Sequence, residues 1–259
     1  SAVSVKSGII DLAALSRTVF VHHAHLRESS GLRKAMRSFI LKIGKNIAVS
    51  HAVAEGLPVE ATVIPNPVPK QFDTEVSDNK IQLEDRDGFI FVGRLVKEKG
   101  SDIAIRALSL LHEGGDEATL TICGDGPARE QLETMAEQLG LADSVIFKGW
   151  LPQDKISTLL SESKALVLPS TGQEAFGLVV LEALSRNTPA VVAERGGLPE
   201  AVGLCGIIVE PGSEQSLAAG MREIVKPKKY SKIRDKIPSH LKKHSLNKTG
   251  FQLIQNISQ

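Results

Sequence analysis

Short runs of apolar residues alternate along this chain with longer stretches whose apolar positions recur every three or four residues. The first kind reads as buried strand and the second as amphipathic helix. From Gly88 the alternation is regular. Strands are expected at 89–92 (FIFV), 118–123, 145–147, 165–168 (ALVL), 190–193 (AVVA) and 206–209 (GIIV). Helices are expected at 102–111, 128–139, 152–162, 176–185 and 213–224, with Ser101 as the N-cap of the first. Strands that are apolar at every position, not every second one, need cover on both faces. The expectation is therefore an α/β fold built on a parallel sheet. Such sheets bind ligands outside the carboxyl ends of their strands.

Before Gly88 the pattern is sparser. An apolar helical patch at 9–15, a strand at 18–21 (TVFV), a helix at 32–43 and strands at 46–50 and 61–64 are expected. Asn66-Pro67-Val68-Pro69 then breaks the chain, because each proline pushes its predecessor to an extended conformation. This divides the chain at 68, with a polar, acidic linker over 69–87.

Composition narrows the function classes. The 259 residues are 42% apolar and 24% charged, an ordinary globular balance. Aromatics at 4% argue against a base-stacking platform for nucleic acid. No apolar run approaches the roughly 18 residues of a membrane span. Two cysteines, Cys123 and Cys205, are too few for a disulfide framework, which points to a reducing, cytoplasmic setting. The net charge of +1 is uneven: +4 over 1–66, −11 over 67–225 and +8 over 226–259. The acidic middle disfavours a nucleic-acid groove. The basic C-terminal run suits a solvated tail or an anionic membrane surface. Arg27, Arg33, Lys34, Arg37, Lys42 and Lys45 likewise flank an apolar stripe that fits either a solvated face or peripheral lipid contact.

Three loops at expected strand ends carry chemistry. Gly93–Gly100 (GRLVKEKG) holds Arg94 and Lys99, a fork and a point charge that suit a diphosphate or, alternatively, an ordinary solvated loop. Cys123-Gly124-Asp125-Gly126-Pro127 is a tight turn lacking the third glycine of a dinucleotide fingerprint, which disfavours a dehydrogenase. Residues 169–178 (PSTGQEAFGL) run into a helix starting near Phe176 or Gly177, whose free N–H groups attract anions. Glu174 precedes that helix and Glu182 lies within it among apolar residues, where a carboxylate needs a hydroxyl or cation partner. The pair fits a sugar nucleotide, or else a helix-start carboxylate and a buried ion pair. His22, His23 and His25 follow the strand at 18–21 with spacing poor for zinc. Asp85-Arg86-Asp87 precedes a strand, which makes it a linker turn and not a metal site.

The ordered set FVGRLVKEKG (91–100), GDGP (124–127), Phe147-Lys148-Gly149, Glu174-x7-Glu182 and Gly196-Gly197-Leu198-Pro199-Glu200 resembles glycosyltransferase family 4 over about residues 18–259. The resemblance implies a GT-B fold of Rossmann-like domains and a retaining transferase acting on a UDP- or GDP-sugar without metal or other cofactor. It implies a glycan, lipid or small-molecule acceptor; peripheral contact with the inner membrane face is expected from the basic residues alone. By resemblance, Gly93, Arg94 and Lys99 bind the donor diphosphate, Glu174 the donor sugar and Glu182 the ribose. Phe176, Gly177 and Leu178 bring backbone amides, and Gly149, Trp150 and Leu151 border the base. A histidine beside the sugar matches His22 best and His23 as alternate, orienting substrate and not acting as a conventional base. The domains would be a partial acceptor-side domain over 1–68, the linker 69–87, a donor-binding domain over 88–240 and a helix over 241–259 crossing back. The N-terminal domain is short for this family, which leaves open a donor-binding fragment without turnover.

Overall fold

The computed structural model describes residues 18–24, 38–72 and 82–258. The expected patch at 9–15, the first half of the helix at 32–43, His25, the cations 27–37 and much of the expected linker lie outside them; residues 38–43 are helical as expected.

Six parallel strands form the larger sheet. Numbered along the whole chain, they are β4 (Asp87–Val92), β5 (Leu120–Cys123), β6 (Val145–Gly149), β7 (Ser163–Leu168), β8 (Ala190–Ala193) and β9 (Gly206–Val209). Their order is β6-β5-β4-β7-β8-β9. Chain order reverses between β4 and β7, so a crevice opens at their carboxyl ends. The two central strands read as unbroken apolar runs because both faces are covered: Ile90, Phe91, Leu166 and Val167 have no exposed surface.

Five helices link the strands: α2 (Ser101–Glu113), α3 (Arg129–Gln138), α4 (Gln153–Glu162), α5 (Leu178–Ser185) and α6 (Leu198–Val202). In α2, Ile103, Ala104, Ala107, Leu108 and Leu111 recur at helical spacing and are buried. Its N-cap is Gly100, not Ser101, which is the first helical residue. Gly100 adopts φ +72°, and an added Cβ would run into the Pro169 carbonyl. A side chain there is excluded, so a hydroxyl cap is impossible at that position. The helix expected from 176 starts at Leu178, with Gly177 as its N-cap.

The 85–87 segment is no linker turn. A 3-10 turn spans Leu83–Asp85, and Asp87 opens β4. Arg86 is 3% exposed. Its guanidinium donates to the Ser163 carbonyl (3.0 Å), Thr188 Oγ1 (2.5 Å) and the Arg186 carbonyl (3.2 Å), tying β4 to the elements beside it.

The smaller sheet is also parallel, in the order β1 (Val19–His22), β2 (Lys45–Ala48), β3 (Thr62–Val63), with α1 (His51–Glu55) after β2. After β9 come α7 (Glu214–Ile224), α8 (Pro227–Arg234), α9 (Ile237–Lys243) and α10 (Leu246–Ser258). The expected single helix over 241–259 is therefore two. His244 closes α9 through its amide to the Leu241 carbonyl. Ser245 Oγ accepts the Lys248 amide at 3.4 Å and restarts the helix. α10 does return to the smaller sheet, where Lys45 Nζ donates to the Asn256 carbonyl (3.2 Å). No helix among the described residues is long and apolar enough to cross a membrane. Cys123 and Cys205 are buried free thiols whose burial raises their pKa to about 11.

Candidate functional site

The loop after β4 is pinned inward by Leu95, which has no exposed surface and whose amide donates to the Asp125 carbonyl (2.9 Å). Arg94 beside it is exposed, and its carbonyl accepts the Val96 amide at 3.0 Å. The loop ends in a 3-10 turn, Lys97–Lys99. The Glu98 carbonyl there accepts the amides of Thr171 (2.9 Å) and Gly172 (3.0 Å) from the loop after β7. The two strand ends of the crevice are thus joined by backbone bonds.

That junction brings Lys99 to Glu174: Nζ stands 2.6 Å from Oε1, and Ser170 Oγ donates to the same oxygen at 2.7 Å. Their side chains are 30% and 15% exposed, a half-enclosed pair that solvent screens less than a surface one. The backbone of Glu174 is fixed as well. Its carbonyl accepts the Gly197 amide at 2.7 Å. Gly196, at φ +51°, packs so closely against that carbonyl that no side chain fits.

A cavity of about 240 Å3 opens here, lined by His23, Asn66, Lys99, Glu174 and residues 175–179, with Val92 and Leu168 at its strand ends. Leu178 and Val179 begin α5, where backbone N–H groups lack partners within the helix. A lysine paired with a carboxylate beside a helix start can hold an anion bonded to a polyhydroxyl group. Larger cavities of about 580 and 420 Å3 lie elsewhere, away from the crevice between β4 and β7. Among the described residues no group of three His, Cys, Asp or Glu could hold a metal ion.

The structure separates the two histidines. His22 Nε2 lies 3.0 Å from Asn46 Oδ1. Asn46 spends its amide protons on the carbonyls of Leu41 and Gly44, so Nε2 of His22 is the donor. His22 does not line the cavity; His23 does. Consecutive residues at a strand end point to opposite faces, so the two cannot both face the crevice.

Glu182 is half-buried on α5, outside the cavity. Burial raises its pKa, and its partner is the amide of Gln153 on α4, neither the hydroxyl nor the cation expected. Gly149 ends β6, two strands from β4, and its carbonyl accepts the Gly124 amide at 2.7 Å. Trp150 is 76% exposed and Leu151 packs against the core. Phe176 is 2% exposed and its ring lies 5.6 Å from that of His244. Sequence reasoning missed Ser170, Gln153 and the place of Asn66 in the cavity. The proline-rich break around Asn66 was a signal; Ser170 and Gln153 carried none.

The family model described as glycosyl transferases group 1 matches residues 73–240. An alpha-D-kanosaminyltransferase of Streptomyces kanamyceticus is 31% identical over 192 residues, 71% of this chain and 50% of that protein. A GDP-mannose-dependent alpha-(1-6)-phosphatidylinositol monomannoside mannosyltransferase of Mycolicibacterium smegmatis is 30% identical over 151 residues, 55% of this chain and 40% of that one. This chain spans half or less of the length of these curated relatives. The crystal structure of HepE from Anabaena, in complex with UDP and glucose, superposes with a TM-score of 0.76 at 23% identity, covering 93% of this chain and 71% of that one. That likeness shows the fold, GT-B.

Proposed function

Since this chain belongs to the glycosyl transferases group 1 family, we propose that it binds a UDP- or GDP-sugar at the crevice between β4 and β7 and transfers the sugar, with retention, to a glycan, lipid or small-molecule acceptor. The supporting observation is the convergence of Lys99, Glu174 and the start of α5 on one cavity faced by His23.

Cleaving a sugar–phosphate bond leaves negative charge on the departing diphosphate. Lys99, Arg94 above the Gly93 turn, and the first amides of α5 stabilise that charge in place before it develops. In this reading they supply the positive charge, and no metal or other cofactor is required. Glu174, already held by Lys99 and Ser170, accepts hydroxyls of the donor sugar, and His23 orients the sugar from the opposite sheet. Phe176, Gly177 and Leu178 line the phosphate-to-sugar segment, Glu182 takes the ribose, and Gly149, Trp150 and Leu151 border the base. A relative that depends on GDP-mannose and a structural neighbour holding UDP support the donor class and leave the base open.

Calorimetric titration with UDP, GDP and ADP, without metal, tests the reading. One nucleotide binds, and Arg94→Ala weakens it about 10-fold or more, the range of a charge-assisted hydrogen bond. Binding of none, or equal binding by the variant, overturns it.

A further inference from the structure

Glu200 lies on α6, three residues beyond Gly197, whose amide is bonded to the Glu174 carbonyl. Its carboxylate reaches out of the larger sheet's domain to the start of α1. There Oε1 and Oε2 accept the His51 amide at 2.9 and 3.1 Å. Oε1 also accepts the Ala52 amide at 3.4 Å, and Oε2 lies 2.8 Å from His51 Nδ1. Both oxygens are engaged, so the carboxylate fixes orientation as well as distance. A second contact stands beside it: the fully buried Ser50 donates through Oγ to the Ala175 carbonyl at 2.6 Å, inside the loop that carries Glu174. On the far side the Val49 amide donates to the His22 carbonyl at 3.2 Å, one residue before His23. An unbroken path of bonds thus runs from Glu174 through Gly197, Glu200 and residues 49–51 to His23.

We propose that Glu200 is a positioning residue whose forked grip on the His51 and Ala52 amides, with Ser50 on Ala175, sets where His23 meets the sugar of the bound donor. This rests on the donor-binding reading above. It assigns Glu200 no contact with the nucleotide, which Arg94, Lys99 and the start of α5 hold without it.

The experiment measures affinity for UDP and UDP-glucose, and for GDP and GDP-mannose, in the wild type, Glu200→Ala, Glu200→Gln, His23→Ala and the double variant Glu200→Ala/His23→Ala. Deuterium exchange at the His51 and Ala52 amides is followed in parallel. In Glu200→Ala, nucleotide affinity stays within about 2-fold while the extra affinity contributed by the sugar falls about 10-fold, within the cost of misplacing a positioning group by about an ångström. Glu200→Gln, keeping one acceptor oxygen, falls between. The double variant is no worse than His23→Ala, because the two act as one unit. Exchange rises at His51 and Ala52 and not in β4–β9. The proposal is overturned if Glu200→Ala weakens nucleotide and nucleotide sugar equally, if its effect adds in full to His23→Ala, or if the sugar increment is unchanged or absent. A wild type that binds neither nucleotide overturns the donor reading itself, and this proposal with it.

Discussion

Glu182 shows how one residue's surroundings set its chemistry. The run LVVLEALS makes α5 apolar nearly all round, because α5 packs between the sheet and α4. A carboxyl on such a helix loses hydration, and the Gln153 hydrogen bond offsets only part of that loss, so its pKa lies above the ordinary value. On the proposed ribose role, the ionised carboxylate accepts both hydroxyls and the protonated one accepts them less well. Nucleotide affinity therefore weakens as pH falls, and begins to weaken at a higher pH than an ordinary carboxylate would impose. Titrations of UDP or GDP across pH 4–8 check this, with Glu182→Gln losing the part of the profile that the wild type shows beyond the titration of the nucleotide's own terminal phosphate. The spacing to Glu174 was legible in the sequence; the Gln153 partner was not, because it comes from a helix 29 positions upstream.

At the scale of elements, the alternation of strand and helix follows from burial alone. Expected and observed strands agree to within about three residues across β4–β9. Element starts agree less well, because caps depend on what the turn packs against. Gly100 demonstrates this: its left-handed backbone lies against the Pro169 carbonyl and joins the two loops of the crevice. Gly100→Ala adds backbone strain and a contact that must be relieved by moving one loop. A loss of about 1–3 kcal/mol in urea unfolding is expected, together with weaker nucleotide binding as Lys99 and Glu174 shift. Unchanged stability and affinity would show that the loops are not rigidly coupled.

For the whole molecule, the return of the chain through α9 and α10 places His240 and His244 between the two sheets. Their rings lie 4.8 Å apart. His244 Nδ1 donates to the Asn66 carbonyl (3.1 Å), and its own carbonyl accepts the Val68 amide (2.8 Å). Burial above all, then repulsion from His240, depresses the His244 pKa to about 4; burial lowers that of His240 too. A depressed histidine pKa means that the unfolded chain binds protons first. Stability is then fully present above about pH 6.5 and is lost as pH falls toward 4, by about 2 kcal/mol at pH 5 for His244 alone. Urea midpoints at pH 7.5 and 5.0 read this, and His244→Gln removes most of the difference. The parallel sheet, the loops bearing Arg94, Lys99 and Glu174, and the helix bearing Glu182 were all legible in the sequence, since local burial pattern and strand-end position fix them. Folding alone places His23 and not His22 at the cavity, brings Ser170 and Lys99 to the same oxygen of Glu174, and sets Glu200 on His51. Each of those contacts joins residues by hydrogen bonds or by a common cavity across separate elements, and no local pattern encodes such a meeting.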